Sequence, residues 1–192
     1  MARGQLTKQK IQDCALHLFV EQGIKSATIR DIAHAAHISE GALYRHYPSK
    51  EALAKDLFLT SYKALSVELR QRLAPITEFE VQIKVIIHYF CEKYDNHPVL
   101  FQYLLITQHH YAQLLSAQDQ TPLTVIKALL QQAIDTKACK INDPMLGAAI
   151  LYGIVLQSAS FRIYGHIQRS MSEDAPILYK AAKAALVLSA AQ

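Results

Sequence analysis

The side chains of this sequence that are best suited to chemistry lie between Thr28 and Lys50. Tyr44, Arg45 and His46 are consecutive there and bring a phenol, a guanidinium and an imidazole to one short segment. These groups donate hydrogen bonds to anions and to surfaces rich in acceptors. The chain has no glycine-rich phosphate loop, no nucleophile elbow and no carboxylate pair at a recognisable catalytic spacing. The pattern therefore predicts recognition of a partner and no enzymatic activity.

The segment that must position these groups is predicted to form two short helices joined by a tight turn. Thr28 is a good N-cap for the first helix, and Asp31 lies near the free amides of its first turn. Apolar residues recur at helical spacing on one side of this helix, namely Ile29, Ile32, Ala33 and Ala36. His37 and Ile38 then interrupt the pattern, so the turn is expected there.

The second short helix is predicted to begin at Ser39, which is another N-cap residue. Ala42 and Leu43 give this helix a small buried face. The residues that point outward are Glu40, Gly41, Tyr44, Arg45 and His46. An α-helix fits the major groove of DNA, and this helix has a small N-terminal surface and an exposed Tyr-Arg-His end. The two elements together predict a helix-turn-helix that reads double-stranded DNA.

The sequence around this segment resembles the TetR family of transcriptional regulators. The residues that carry the resemblance are Phe19–Gly23 (FVEQG), Thr28–Ala33 (TIRDIA) and Ser39–Leu53 (SEGALYRHYPSKEAL). Hydrophobic, glycine, capping and aromatic positions agree in order and spacing over about residues 7–60. Further along the chain only an apolar and helical character remains.

The composition of the chain agrees with an all-α fold of about nine helices. Hydrophobic residues make up 51% of it, and runs in which polar and apolar residues alternate are few. With the resemblance, this predicts a three-helix DNA-binding domain at residues 1–50 and a helical effector and dimerisation domain at residues 51–192. The net charge is +4, and the first 55 residues carry eight Lys and Arg against five Asp and Glu. The positive excess falls where DNA binding is predicted.

The resemblance implies a set of DNA contacts by position. Tyr44 is expected to contact a thymine methyl or a phosphate, and Arg30 to reach a guanine. Lys50 is expected to meet a phosphate together with the amides at the start of its helix. Tyr47 either packs the turn or touches a phosphate, and Arg45 either contacts a base or stays in solvent. The full predicted set is Thr28, Arg30, Ser39, Glu40, Gly41, Ala42, Tyr44, Arg45, His46, Tyr47 and Lys50.

The C-terminal part of the chain is rich in Tyr, Phe and His. Most such residues at helical spacing form a core, but tyrosine hydroxyls need partners when they are buried. A pocket for a small apolar or aromatic ligand is implied there, mainly by the resemblance. Its predicted lining is Tyr89, Tyr94, Phe101, Tyr103 and Tyr152.

Two helices near residues 143–165 and 173–190 are predicted to form a homodimer. They contain small residues that permit close approach, namely Gly147, Ala148, Ala149, Gly153, Ala181, Ala182, Ala184 and Ala185. The alternative is that both helices lie in the core of a monomer. A two-fold dimer is favoured because two reading helices can recognise a palindrome.

Cysteine usage and apolar runs favour a cytoplasmic protein that does not enter a membrane. The three cysteines are widely spaced and odd in number, which argues against a disulfide framework. The start of the chain lacks an apolar signal segment. The longest apolar run, residues 145–156, is too short to span a bilayer and predicts a buried core helix.

The sequence therefore predicts a dimeric repressor that binds a palindromic operator and is released by a small molecule. The pair His34 and His37 lacks a clear third ligand, so neither a metal nor another cofactor is predicted. Two alternatives stay open. One is a constitutive DNA-binding repressor without an effector, and the other is a helical ligand-binding or enzymatic protein.

Overall fold

The computed structural model describes residues 3–111, 113, 115 and 119–187. Within these residues the chain forms nine α-helices, which confirms the predicted all-α fold. The helices are α1 (Arg3–Gln22), α2 (Ile29–Ala35), α3 (Glu40–Tyr44), α4 (Lys50–Leu73), α5 (Phe79–Asn96), α6 (Pro98–Tyr111), α7 (Pro122–Asp135), α8 (Pro144–Ile163) and α9 (Met171–Leu186).

The predicted capping residues begin the helices of the helix-turn-helix. The Thr28 hydroxyl accepts a hydrogen bond from the Asp31 amide at 3.1 Å, and the Asp31 carboxylate accepts one from the Thr28 amide at 3.1 Å. Such a reciprocal capping box satisfies two amides that would otherwise lack partners. The Ser39 hydroxyl accepts from the Ala42 amide at 3.2 Å. Local sequence signals thus determine where α2 and α3 begin.

The turn between α2 and α3 passes through His37, where the pattern predicted a break. His37 has a φ of +52°, in the left-handed region where histidine is among the more frequent residues other than glycine. The amides of His37 and Ile38 donate to the carbonyls of His34 and Ala33, both at 3.0 Å. The chain therefore reverses over three residues before Ser39 caps α3.

Some predicted boundaries at the C-terminal end differ from the observed ones. The last helix was expected at residues 173–190 and instead runs over Met171–Leu186, with Val187 as its C-cap in extended conformation. Residues 188–190 of the predicted dimer helix lie outside the described residues.

The described residues form two compact units. The N-terminal unit contains those of Met1–Ser61 and Val99–Leu114, and the C-terminal unit contains those of Tyr62–Pro98 and Leu115–Gln192. Helix α4 is continuous across the boundary, since it runs over Lys50–Leu73. The predicted boundary after residue 50 separates a DNA-binding domain from an effector and dimerisation domain. This division by function stays a prediction.

The N-terminal unit is built around apolar side chains of α1, α3, α4 and α6. Phe19, Leu43 and Phe58 are fully or almost fully buried. The ring of Tyr103 in α6 stacks on Phe19 with centroids 6.1 Å apart, and its hydroxyl donates to the Ala54 carbonyl at 2.6 Å. Helix α6 is thus part of the same core as the helix-turn-helix.

The C-terminal unit is held together by the packing of α5 on α9 and of α7 on α8. The Tyr89 hydroxyl donates to the Leu65 carbonyl at 3.0 Å, which attaches α5 to the second half of α4. The Asp95 carboxylate accepts the amides of Met171 and Ser172, both at 2.8 Å, and so caps α9 from the end of α5. Partial burial raises the Asp95 pKa, but the hydrogen bonds from Ser172 and Met171 together outweigh it and hold this pKa below its usual value.

Arg162 forms a second polar link in the C-terminal unit. Its guanidinium donates to the carboxylate of Asp174, to the Ser158 carbonyl and hydroxyl, and to the carbonyls of Arg169 and Ser170. Both Arg162 and Asp174 are buried. The guanidinium therefore joins α8, the following loop and α9 at one point.

Helix α8 corrects the prediction that residues 145–156 form a buried core helix. Only 28% of its most apolar 18-residue window is buried within the chain. By length and composition alone it could cross a membrane, which is weak support for a span. Ala148 and Leu151 face the core, whereas Ala149 and Gly153 are exposed. One face of α8 is thus apolar and uncovered within a single chain.

Candidate nucleic-acid interface and effector cavity

Helix α3 presents the side chains that were predicted to read DNA. Tyr44 is 51% exposed, and Gly41 and Arg45 are also exposed, whereas Leu43 is buried beneath them. Ala42 and His46 are half-buried. One face of the helix is therefore anchored, and the opposite face offers hydrogen-bonding groups to a groove. Their contacts with DNA stay predictions.

The start of α2 places Thr28 and Arg30 on the surface. The Thr28 hydroxyl also donates to the Asp31 carboxylate at 2.6 Å. Hydrogen bonds from the Thr28 hydroxyl and amide lower the Asp31 pKa. A phosphate at Thr28 would therefore meet a carboxylate that already occupies this position, and the hydroxyl would have to change partners.

Lys50 holds the loop that precedes α2. Its ammonium donates to the Lys25 carbonyl at 2.9 Å and to the Ala27 carbonyl at 2.7 Å. An ammonium has three N–H groups, so these two bonds leave one donor for a phosphate. The structure thus gives Lys50 a positioning role toward the α1–α2 loop, and its predicted phosphate contact stays a prediction.

Tyr47 lies inside the N-terminal unit with only 4% of its surface exposed. Its hydroxyl donates to Asp56 Oδ2 at 2.7 Å, and the ammonium of Lys8 lies 5.4 Å from its ring centroid. Burial and the hydrogen bond to the carboxylate raise the Tyr47 pKa. Of the two predicted roles, packing of the turn is the one that this geometry supports.

Asp56 was missed by the sequence reasoning, although three elements meet at its carboxylate. Besides Tyr47, the side-chain amide of Gln12 donates to Asp56 Oδ2 at 3.2 Å, and the Lys8 ammonium pairs with the same oxygen at 2.9 Å. Gln12 lies 44 positions and Tyr47 nine positions from Asp56 in the sequence. No local pattern could therefore have identified this cluster.

A small cavity of about 10 Å³, room for roughly one water molecule, lies in the C-terminal unit. It is lined by Ile86, Phe90, Ile126, Leu151, Tyr152, Val155 and Leu156. None of these side chains carries a charge. The Tyr152 hydroxyl is buried and has no hydrogen-bond partner among the described residues. Burial raises the Tyr152 pKa, so this phenol stays protonated and can donate a hydrogen bond.

Of the five residues predicted to bind a ligand, Tyr152 lines this cavity. Tyr89 and Tyr94 lie in the C-terminal unit and Phe101 and Tyr103 in the N-terminal unit. All four are buried, and none is among the residues that line the cavity. Their roles in ligand binding stay predictions. Sequence reasoning missed Ile86 and Leu156, since an aliphatic residue at helical spacing carries no sign that it borders a cavity.

The small residues predicted for the dimer contact divide into two groups. Gly147 is buried against α7, and a Cβ atom there would lie 3.1 Å from Leu130 Cδ1. This glycine therefore serves packing within the chain. Gly153 has open space beside it. Ala149 and Gly153 on α8 and Ala181 and Ala184 on α9 are exposed.

An all-α chain with a helix-turn-helix in its N-terminal unit falls in the broad class of helix-turn-helix proteins. A family model described as "Bacterial regulatory proteins, tetR family" matches residues 11–57. Residues 11–57 are therefore similar to this family, which confirms the resemblance that the sequence predicted for its N-terminal part.

Among its relatives, the transcriptional repressor KstR2 of Rhodococcus jostii (strain RHA1) is 42% identical over 50 residues, which are 26% of this chain and 24% of that repressor. The chain spans 24% and 40% of the lengths of the first two curated relatives it matches.

Two solved structures show the same fold over most of the chain. A complex of SmeT with triclosan has a TM-score of 0.77 and 21% identity, and covers 96% of this chain and 93% of that one. SmeT is the repressor of the Stenotrophomonas maltophilia multidrug efflux pump SmeDEF. The regulator FadR of Bacillus subtilis in complex with stearoyl-CoA has a TM-score of 0.74 and 13% identity. The match covers 91% of this chain and 96% of that one.

Proposed function

We propose that this protein is a DNA-binding transcriptional regulator that represses as a homodimer bound to a palindromic operator. The observation that carries the proposal is the exposed face of α3, with Tyr44 and Arg45 outward over a buried Leu43. A helix of this kind can enter the major groove, where tyrosine and arginine reach methyl groups, base edges and phosphates. The match of residues 11–57 to the tetR family model supports the same function.

The homodimer is proposed from the uncovered faces of α8 and α9. Large apolar side chains are exposed there, among them Leu146 and Phe161 on α8 and Ile177 on α9. Between them lie the small exposed residues Ala149 and Gly153. Exposed apolar side chains that lie together on a helix mark an interaction site, and a two-fold contact would cover the same residues on both subunits.

Release from DNA by a small molecule is proposed from the cavity beside Tyr152. The lining offers only apolar surface and one phenol hydroxyl, so it favours an uncharged ligand with one hydrogen-bonding group. The cavity measures only about 10 Å³, so side chains that line it would have to move to admit a ligand, which favours a compact one. The buried Tyr152 hydroxyl without a partner among the described residues also favours an effector-controlled repressor over a constitutive one.

DNA recognition can be tested with sequences selected from a random pool of duplexes. Replacing Tyr44 by Ala should lower affinity for the selected operator by about 1–3 kcal/mol, because a base or phosphate contact is lost. Fluorescence anisotropy with labelled operator measures this change. Ile106→Ala is a matched control, since Ile106 is 54% exposed in the same unit but lies on α6. If the wild-type protein selects no sequence, or Tyr44→Ala binds the operator as tightly, the proposed reading face is wrong.

The effector cavity can be tested with triclosan and stearoyl-CoA as probes. We expect triclosan to raise the melting temperature and lower operator affinity, whereas stearoyl-CoA should do neither, because its bulk and charge do not suit the apolar lining. Tyr152→Phe removes the hydroxyl alone and should weaken triclosan binding about fivefold, with operator affinity unchanged. Tyr179→Phe is the control, since its hydroxyl bonds to Glu80 instead. Equal binding of triclosan by both variants would remove Tyr152 from the ligand contacts.

A further inference from the structure

Asp56 is the seventh residue of α4, which begins at Lys50, and it is not among the predicted DNA contacts. We propose that Asp56 is a positioning residue for DNA recognition, whose carboxylate fixes the turn after α3 against α1 and α4. This inference rests on the proposed DNA-binding function and does not depend on the proposed effector.

The first support is the convergence of buried donors on one oxygen atom. Tyr47 is 4% exposed and Gln12 is 6% exposed, and both donate to Asp56 Oδ2. Lys8 pairs with the same oxygen at 2.9 Å. Hydrogen bonds to an ionised acceptor are about twice as strong as neutral ones, so this carboxylate joins α1, α4 and the turn after α3 firmly.

The second support is the short path from Tyr47 to the reading face. The Tyr47 amide donates to the Leu43 carbonyl at 3.0 Å, and the His46 amide donates to the same carbonyl at 2.9 Å. Tyr47 is therefore hydrogen-bonded to the last turn of α3, three residues after the exposed Tyr44. A shift of the Tyr47 ring would move the end of α3, and base contacts depend on donor–acceptor distances within a few tenths of an ångström.

The third support is the sign of the charge. A carboxylate in a DNA-binding unit repels phosphates and neutralises part of the positive potential, here that of Lys8. If Asp56 affected DNA binding through charge alone, its neutralisation would strengthen binding to every duplex. A positioning role predicts that neutralising Asp56 weakens binding to the operator. Contacts with specific bases require an exact geometry, whereas non-specific contacts with phosphates hardly do.

The test compares Asp56→Asn and Tyr47→Phe, each of which keeps the size of the side chain. Affinities for the selected operator and for a scrambled duplex of equal length are measured by fluorescence anisotropy, with circular dichroism to verify folding. Both variants should lose at least about fivefold in operator affinity and retain or increase affinity for the scrambled duplex. The double variant should lose little more than the larger single loss, because both changes remove the same link.

Asp13→Asn is the matched control, since Asp13 carries the same charge in the same unit but bonds only to Gln9 on its own helix among the described contacts. It should change both affinities in the same direction. The inference is overturned if Asp56→Asn and Tyr47→Phe bind the operator within twofold of wild type, or if both duplexes lose affinity equally. If Asp56→Asn does not fold, Tyr47→Phe decides alone. A wild-type protein that selects no DNA would overturn the proposed function, and this inference with it.

Discussion

Replacing Ala149 by Glu is expected to convert the protein to a monomer and to lower operator affinity at least about 30-fold. Ala149 is exposed on the apolar face of α8, one helical turn before Gly153. In the proposed dimer a glutamate there would be buried without a partner, which is costly. Loss of one half-site would remove about half of the 4–10 kcal/mol that separates specific from non-specific binding. Light scattering measures the mass of the protein in solution, and fluorescence anisotropy measures its affinity for the operator.

The control for this change is Ala128→Glu, because Ala128 is also an exposed alanine but lies on α7. It should remain dimeric and bind the operator like the wild type. A dimeric Ala149→Glu protein at micromolar concentration would place the interface on another surface.

Arg162→Met is expected to lower the free energy of unfolding by about 3–5 kcal/mol, since it leaves the buried carboxylate of Asp174 without its buried partner. Urea unfolding at pH 7 measures the loss. Arg169→Met is the matched control. Arg169 donates to the same carboxylate at 2.6 Å, but its side chain is 59% exposed, so water can replace the bond and the loss should be much smaller than for Arg162→Met.

The loss caused by Arg162→Met should also depend on pH. Hydrogen bonds from Arg169 and Arg162 hold the Asp174 pKa below its usual value, although desolvation opposes them. A lowered pKa means that this stabilisation is complete above the unfolded-state pKa, about 4, and is lost as the pH falls through the folded-state pKa. The difference between wild type and Arg162→Met should therefore shrink between pH 5 and about pH 2. A difference that stays constant over this range would contradict the ion-pair explanation.

The helix-turn-helix could be predicted because its signals are local. Thr28 and Ser39 bond to amides three residues away, so the sequence itself shows where α2 and α3 begin. The Asp56 cluster could not be predicted, because it joins residues up to 44 positions apart. The two glycines of α8 illustrate the same limit. Gly147 packs on Leu130 and Gly153 faces open space, and the residue type alone does not distinguish them.

The role of Tyr103 could not be predicted from the sequence either. Its aromatic ring and hydroxyl suit a ligand pocket as well as a core, and helical spacing is equal in both cases. The structure places it on Phe19 and the Ala54 carbonyl, which lie 84 and 49 positions earlier in the chain. Only the tertiary arrangement of α6 decides between these roles.

The membership of α6 in the N-terminal unit has a consequence for synthesis on the ribosome. When residue 61 has been made, Phe19 and the Ala54 carbonyl still lack Tyr103, which covers them in the finished protein. About 50 more residues must follow before α6 is complete, which takes a few seconds at about 5–20 residues per second. No single continuous stretch of the gene therefore encodes this unit, and a fragment that stops after α4 leaves its core open.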